Sequence, residues 1–120
     1  MNLMLGVAGL LGASGVAAGA FGAHALESIV TVERLAVWET GAQYHLMHAA
    51  VILCLALQNG RETDARWFWP MLGFTTGTLL FSFSLYALVL TNVAALATIT
   101  PLGGLLLIIS WLLLIKAAYN

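Results

Sequence analysis

Charge is what this chain has least of. Its 120 residues include four basic and five acidic side chains, 8% in all, against 62% hydrophobic residues. A soluble domain carries about 25% charged residues. One this small has too much surface for its volume to hide such apolar runs from water. Lipid must therefore cover most of the surface. So few Lys and Arg also exclude a nucleic-acid-binding face, which needs clustered cations. Cysteine is nearly absent: Cys54 stands alone inside an apolar run. That excludes an intrachain disulfide and a C-x-x-C redox or zinc motif, and leaves Cys54 the expected role of a buried small hydrophobe. No Lys or Arg precedes Arg34. The first apolar run thus lacks the basic start of a signal peptide and is expected to be a retained membrane helix.

What is present is long hydrophobic runs. A spanning helix needs about 20 mostly apolar residues, and four segments meet or approach this: 2–24, 41–58, 67–90 and 101–119. The expected fold is an all-α integral membrane protein, a four-transmembrane-helix bundle forming one membrane domain over residues 1–120. Pro101 suits the first turn of span 4, with Thr100 as N-cap. In residues 25–40, Leu26, Ile29, Val30 and Val37 alternate with Glu27, Glu33, Arg34 and Glu39. This spacing fits a short amphipathic interfacial helix between spans 1 and 2, with a solvated linker as the alternative. Arg61, Arg66 and Lys116 fall on one side of a four-span chain and Arg34 on the other. Positive residues mark the cytoplasmic side, so both termini are expected to be cytoplasmic. Trp38, Trp67, Trp69 and Tyr119 stand near span ends, as interfacial aromatics do.

The polar residues within the spans share a depth. His24 closes span 1, and His45 and His48 lie one to two turns into span 2 from the same side. In span 3, Thr75, Thr78, Ser82 and Tyr86 form one stripe at about 100° per residue. Gly41, His45 and His48 share a face of span 2, and Tyr44 is an i,i+4 neighbour of His48. Polar groups facing lipid are expensive. The expectation is a hydrogen-bonded cluster, or a small-ligand site, built from His24, Tyr44, His48, Ser82, Ser84 and Tyr86. Back-bonding to the i−4 carbonyl is the bland alternative for the hydroxyls, Thr75 and Thr78 above all. In span 1, Gly12, Gly15, Gly19 and Gly22 fall within one arc, and Gly15-x-x-x-Gly19 is a spacing for tight helix crossings. Their partner is a helix of the same chain or of a second copy.

Four stretches carry a resemblance: "GAFGAHAL" at 19–26, "WETGAQYHLMHA" at 38–49, "FSFSLYAL" at 81–88 and "TPLGGLLLIISW" at 100–111. Together they resemble the domain of unknown function four-two-three family, the YgdD-like small bacterial inner-membrane proteins. The match runs almost end to end. It implies a multi-pass inner-membrane protein with no agreed activity, and it maps the family pattern onto Gly19, Gly22, His24, Tyr44, His48, Ser84, Tyr86, Pro101, Gly103, Gly104 and Trp111. The resemblance thereby adds Gly103 and Gly104 to the helix-packing glycines. Phe83 stands where the pattern has glycine. His45 is outside the pattern, which gives His24 and His48 more weight.

Three functions fit. The first is a non-catalytic accessory or scaffold module in the bilayer, alone, as a homo-oligomer or within a larger membrane complex. The second is a transporter or proton path through His24, Tyr44 and His48, against which stand the lack of Asp or Glu in the spans and of an inverted repeat. The third is haem or copper ligation by His24 and His48, a thin donor set for a metal. No nucleophile is paired with a base and an orienting acid, and "GAFGAH" lacks the Lys-Ser/Thr of a phosphate loop. The expectation is accordingly no enzyme, no cofactor and no metal.

Overall fold

The computed structural model describes residues 1–59 and 64–119. Four helices make up nearly all of it: α1 Leu3–His24, α2 Val32–Asn59, α3 Ala65–Thr91 and α4 Thr100–Ala118. Short 3-10 turns, Leu26–Ser28 and Ala94–Thr98, lead from α1 to α2 and from α3 to α4. Each helix, with its flanking turn where it has one, is long and apolar enough to cross a membrane.

The helix ends follow local chemistry. The Asn2 side chain accepts from the Leu5 N–H, satisfying a donor of the first turn of α1. Its Nδ2 donates to the Ala56 carbonyl at 3.1 Å, tying the start of α1 to the last turns of α2 and making the pair antiparallel. Asp64 caps α3 through the Arg66 N–H at 2.9 Å and forms an ion pair with the Arg66 guanidinium at 2.7 Å. That pairing holds the Asp64 carboxyl below the usual carboxylate range. Asn92, at φ 56°, ends α3 in the left-handed conformation that Asn tolerates better than most side chains. Pro101 lies in the first turn of α4 as expected, but Thr100 is not its cap. The Thr100 hydroxyl instead meets Ser84 Oγ at 2.6 Å, bonding α4 to α3.

Residues 32–40 form no separate surface helix. They are the first turns of α2, which runs unbroken from Val32 to Asn59. No Gly or Pro interrupts them, and two side chains hold them upright against the bundle. Arg34 donates to the Val89 carbonyl near the end of α3, where a cation also complements the helix dipole. Trp38 donates to the Ala18 carbonyl of α1 at 2.8 Å. Trp38 is therefore a buried core residue and no interfacial anchor, whereas Trp69 and Tyr119 are exposed. Cys54 is exposed as well, on a lipid-facing side of α2.

Packing runs in chain order, α1 on α2, α2 on α3 and α3 on α4. The inner helices α2 and α3 are far more buried than α1 and α4. One apolar cluster joins all four helices through Leu11, Ile52, Phe74 and Leu107, and a second joins Leu26, Trp38, Tyr86 and Val89. Of the four glycines expected to pack from α1, two do. A methyl group on Gly15 would strike Leu46, and one on Gly22 would strike the Trp38 ring at 2.7 Å. On Gly12 or Gly19 it would meet nothing within 4 Å.

Candidate functional site

The two apolar clusters leave room between them for imidazoles. His45, with 0% of its surface exposed, sits where α1, α2 and α3 meet. Its Nδ1 lies 3.0 Å from the Tyr86 hydroxyl of α3, and its Nε2 lies 3.1 Å from Ser14 Oγ of α1. The Ser14 hydroxyl donates to the Leu11 carbonyl at 3.2 Å. With its own hydrogen committed there, Ser14 accepts from His45 Nε2–H. A neutral imidazole has one donor, so Nδ1 accepts from the Tyr86 hydroxyl. The result is a one-way chain from Tyr86 through His45 and Ser14 to a backbone carbonyl. Gly41 makes space for it, because a methyl group there would lie 2.9 Å from the Tyr86 ring. Trp38, one turn earlier on α2, packs against the same ring at 4.4 Å between centroids. Phe83 lies 5.2 Å from the His45 ring and 5.5 Å from the Tyr86 ring.

His48 is held separately. Its Nδ1–H donates to the Tyr44 carbonyl at 2.8 Å, and the Trp111 indole N–H of α4 approaches its Nε2 at 3.4 Å. Phe74 stands 5.5 Å from the imidazole and 5.0 Å from the indole, closing the set from α3. The Tyr44 ring packs 4.7 Å from Phe81 and stacks on the His48 ring at 5.9 Å, while its hydrogen bond to His48 runs through the backbone carbonyl.

The expected six-residue cluster is thus divided. Tyr86 goes with His45, His48 with Trp111, and Ser84 with Thr100. His24 is exposed and makes no side-chain hydrogen bond among the described residues. The reason is azimuth. His24 follows Gly15 by nine residues, about 900° or half a turn out of phase, and Gly15 faces α2. His45 and His48 are about 60° apart around α2 by the same arithmetic, so they meet different helices. Ser82 and Thr78 are fully buried, and their hydroxyls have no hydrogen-bond partner among the described residues, while Thr75 bonds back to the Met71 carbonyl at 2.8 Å. The expected cluster left out His45, although it shared the inward face of span 2, and with it Ser14, Thr100 and Trp111. A signal for Ser14 existed, since it is the one hydroxyl in an otherwise apolar span and it adjoins Gly15.

Four apolar helices around hydrogen-bonded side chains define a polytopic α-helical membrane protein. The chain belongs to the family described as "Protein of unknown function (DUF423)", whose profile matches residues 18–104. It is 41% identical over 122 residues to UPF0382 membrane protein YwdK of Bacillus subtilis (strain 168), covering 97% of this chain and 94% of that one. It is 38% identical over 120 residues to UPF0382 membrane protein SAB0533 of Staphylococcus aureus (strain bovine RF122 / ET3-1), covering 100% and 98%. UPF0382 inner membrane protein YgdD of Escherichia coli (strain K12) is 36% identical over 117 residues, covering 98% and 89%. No solved structure matches. His45, His48 and Tyr86 fall inside the matched span, and Ser14 and Trp111 outside it.

Proposed function

We propose that this protein is a non-catalytic module of the bacterial inner membrane, an accessory or scaffold subunit whose buried imidazoles fasten helices together. One observation carries this reading. Both ring nitrogens of His45 and both of His48 already face protein partners, His45 on α1 and α3 and His48 on its own helix and α4. A general base or a metal ligand needs a nitrogen lone pair open to its target. Protein purified with its native lipids is expected to be colourless, with iron and copper well below one per chain. A Soret band that disappears in His48→Ala would overturn this reading in favour of haem. A second reading, a small-ligand pathway, is favoured by a groove of about 470 Å³ between α2 and α4 to which Tyr44, His48 and Trp111 contribute. A ligand copurifying with the wild type and lost from His48→Ala would select it.

The same reading places both termini in the cytoplasm. Arg66 and Lys116 line one cavity at the end of the bundle where α1 begins, whereas Arg34 stands at the other end with Glu27, Glu33 and Glu39. Arg61, which adds to the first group in the sequence, lies outside the described residues. The cation excess supports a cytoplasmic assignment for that end. With Cys54 replaced by alanine, cysteines at Thr63 (also outside the described residues) and at Asn92 should react with impermeant maleimide from opposite sides. Thr63 is expected to be shielded in intact cells and Asn92 accessible. The reverse pattern would invert the orientation.

A further inference from the structure

Two cavities adjoin on the outer face between α3 and α4. The first, about 200 Å³, opens at the end of the bundle and is lined by Arg66, Trp69, Pro70 and Lys116 among others. The second, about 460 Å³, continues between Leu72, Thr76, Leu106 and Ile109. Trp69 and Leu113 line both, so the two form one groove with a cationic mouth and an apolar limb. Charge is scarce in this chain, yet two of the three cations among the described residues stand at this mouth. Asp64 takes the Nε and one Nη of Arg66, at 2.9 and 2.7 Å, and the second Nη has no acceptor among the described residues. Lys116 has no hydrogen-bond partner among the described residues. Among the described residues, two cations against one carboxylate leave the mouth net positive.

The length of the groove is informative too. From Arg66 to Thr76 is ten residues, about 15 Å of helix rise, which is half of a hydrocarbon core about 30 Å thick. A cation pair at the surface, an indole beneath it and an apolar channel one leaflet deep match a charged headgroup, its ester region and one acyl chain. Indole rings favour that intermediate level, and basic pockets between spanning helices suit anionic headgroups.

We propose that the α3–α4 groove is a binding site for one anionic phospholipid of the adjacent leaflet. Its phosphate lies between Lys116 and Arg66, and one acyl chain runs past Trp69 along Leu72, Leu106 and Ile109.

The test measures lipid retention on detergent-purified protein by native mass spectrometry. The probes are phosphatidylglycerol and phosphatidylcholine of identical chains, with glycerol 3-phosphate as a soluble competitor. Wild type is expected to retain phosphatidylglycerol roughly tenfold better than phosphatidylcholine, about fivefold from Lys116 and about twofold from Arg66, whose charge Asp64 partly neutralises. Lys116→Gln, which leaves the Asp64–Arg66 bridge intact, should lower that preference about fivefold. Adding Arg66→Gln should abolish it. Ile109→Trp fills the limb without touching the mouth and should release both lipids. Equal retention of the two lipids by the wild type, or a preference that survives the double substitution, would overturn the proposal. So would effective competition by glycerol 3-phosphate, which would show an anion site alone. Unchanged retention in Ile109→Trp would place the chain elsewhere, and a dimer abolished by that substitution would make the groove an interface between copies.

Discussion

Gly103→Ala is expected to pull α4 away from α3 and to be among the most damaging single-methyl changes in the protein. The new methyl group would land on the Phe81 backbone nitrogen and within 2.8 Å of the Leu80 carbonyl carbon. Neither atom can rotate aside as a side chain would. Overpacking typically costs about 1–3 kcal/mol, and more when backbone must move, so about 3 kcal/mol is expected here. Gly104→Ala is the control. Its methyl group would sit 3.6 Å from the Phe81 ring, an ordinary contact, and alanine is the better helix former by about 1 kcal/mol in water. Gly104→Ala should therefore be neutral or slightly stabilising. Unfolding of the purified protein by SDS titration separates the two. The effect should also reach His48, because the close approach at Gly103 places Trp111, eight residues further along α4, beside the imidazole. Equal stability of the two variants would mean that α3 and α4 do not cross at Gly103.

The number and order of the helices were legible because lipid demands them. A polar turn between two apolar runs has few other readings. Depth was legible for the same reason, since counting residues from a span end measures distance along the membrane normal. Rotation about each helix axis was not. His24, His45 and His48 come within two turns of one depth, yet only His45 and His48 face inward, and they face different neighbours. A four-helix arrangement offers several inward directions, and periodicity alone does not say which helix occupies which. Small residues blurred the matter further. The stripe from Gly12 to Gly22 is nearly continuous, but only Gly15 and Gly22 lie where α2 needs the space. The extension of α2 back to Val32 was hidden because its causes are the contacts of Arg34 and Trp38 with distant segments. Phe83, standing where a glycine was expected, closes no helix pair. Its ring covers His45 and Tyr86 instead.

His45→Ala should destabilise the protein more than His48→Ala, the reverse of the ranking that the family resemblance suggests. The substitution removes one side-chain hydrogen bond from α2 to α1 and one from α2 to α3. Interhelical bonds in membranes average about 0.6 kcal/mol and reach about 1.7. It also leaves the Tyr86 hydroxyl without a partner in a buried site, and such a group costs about 1–3 kcal/mol. A loss of about 2–3 kcal/mol is expected. In His48→Ala the bond to Tyr44 is local to α2, and the contact with Trp111 is long at 3.4 Å, so about 1 kcal/mol is expected from the same range. Tyr86→Phe supplies the third corner of the argument. If the Tyr86 hydroxyl and His45 act through each other, the double variant should lose less than the two single losses added, with a coupling of about 1 kcal/mol. SDS unfolding of the wild type and the four variants in one bilayer-mimetic mixture measures all of these differences. A loss in His48→Ala that equals or exceeds that in His45→Ala would show that the three-helix chain is not the main polar fastening. Strict additivity with Tyr86→Phe would show that the 3.0 Å contact is proximity without a working hydrogen bond.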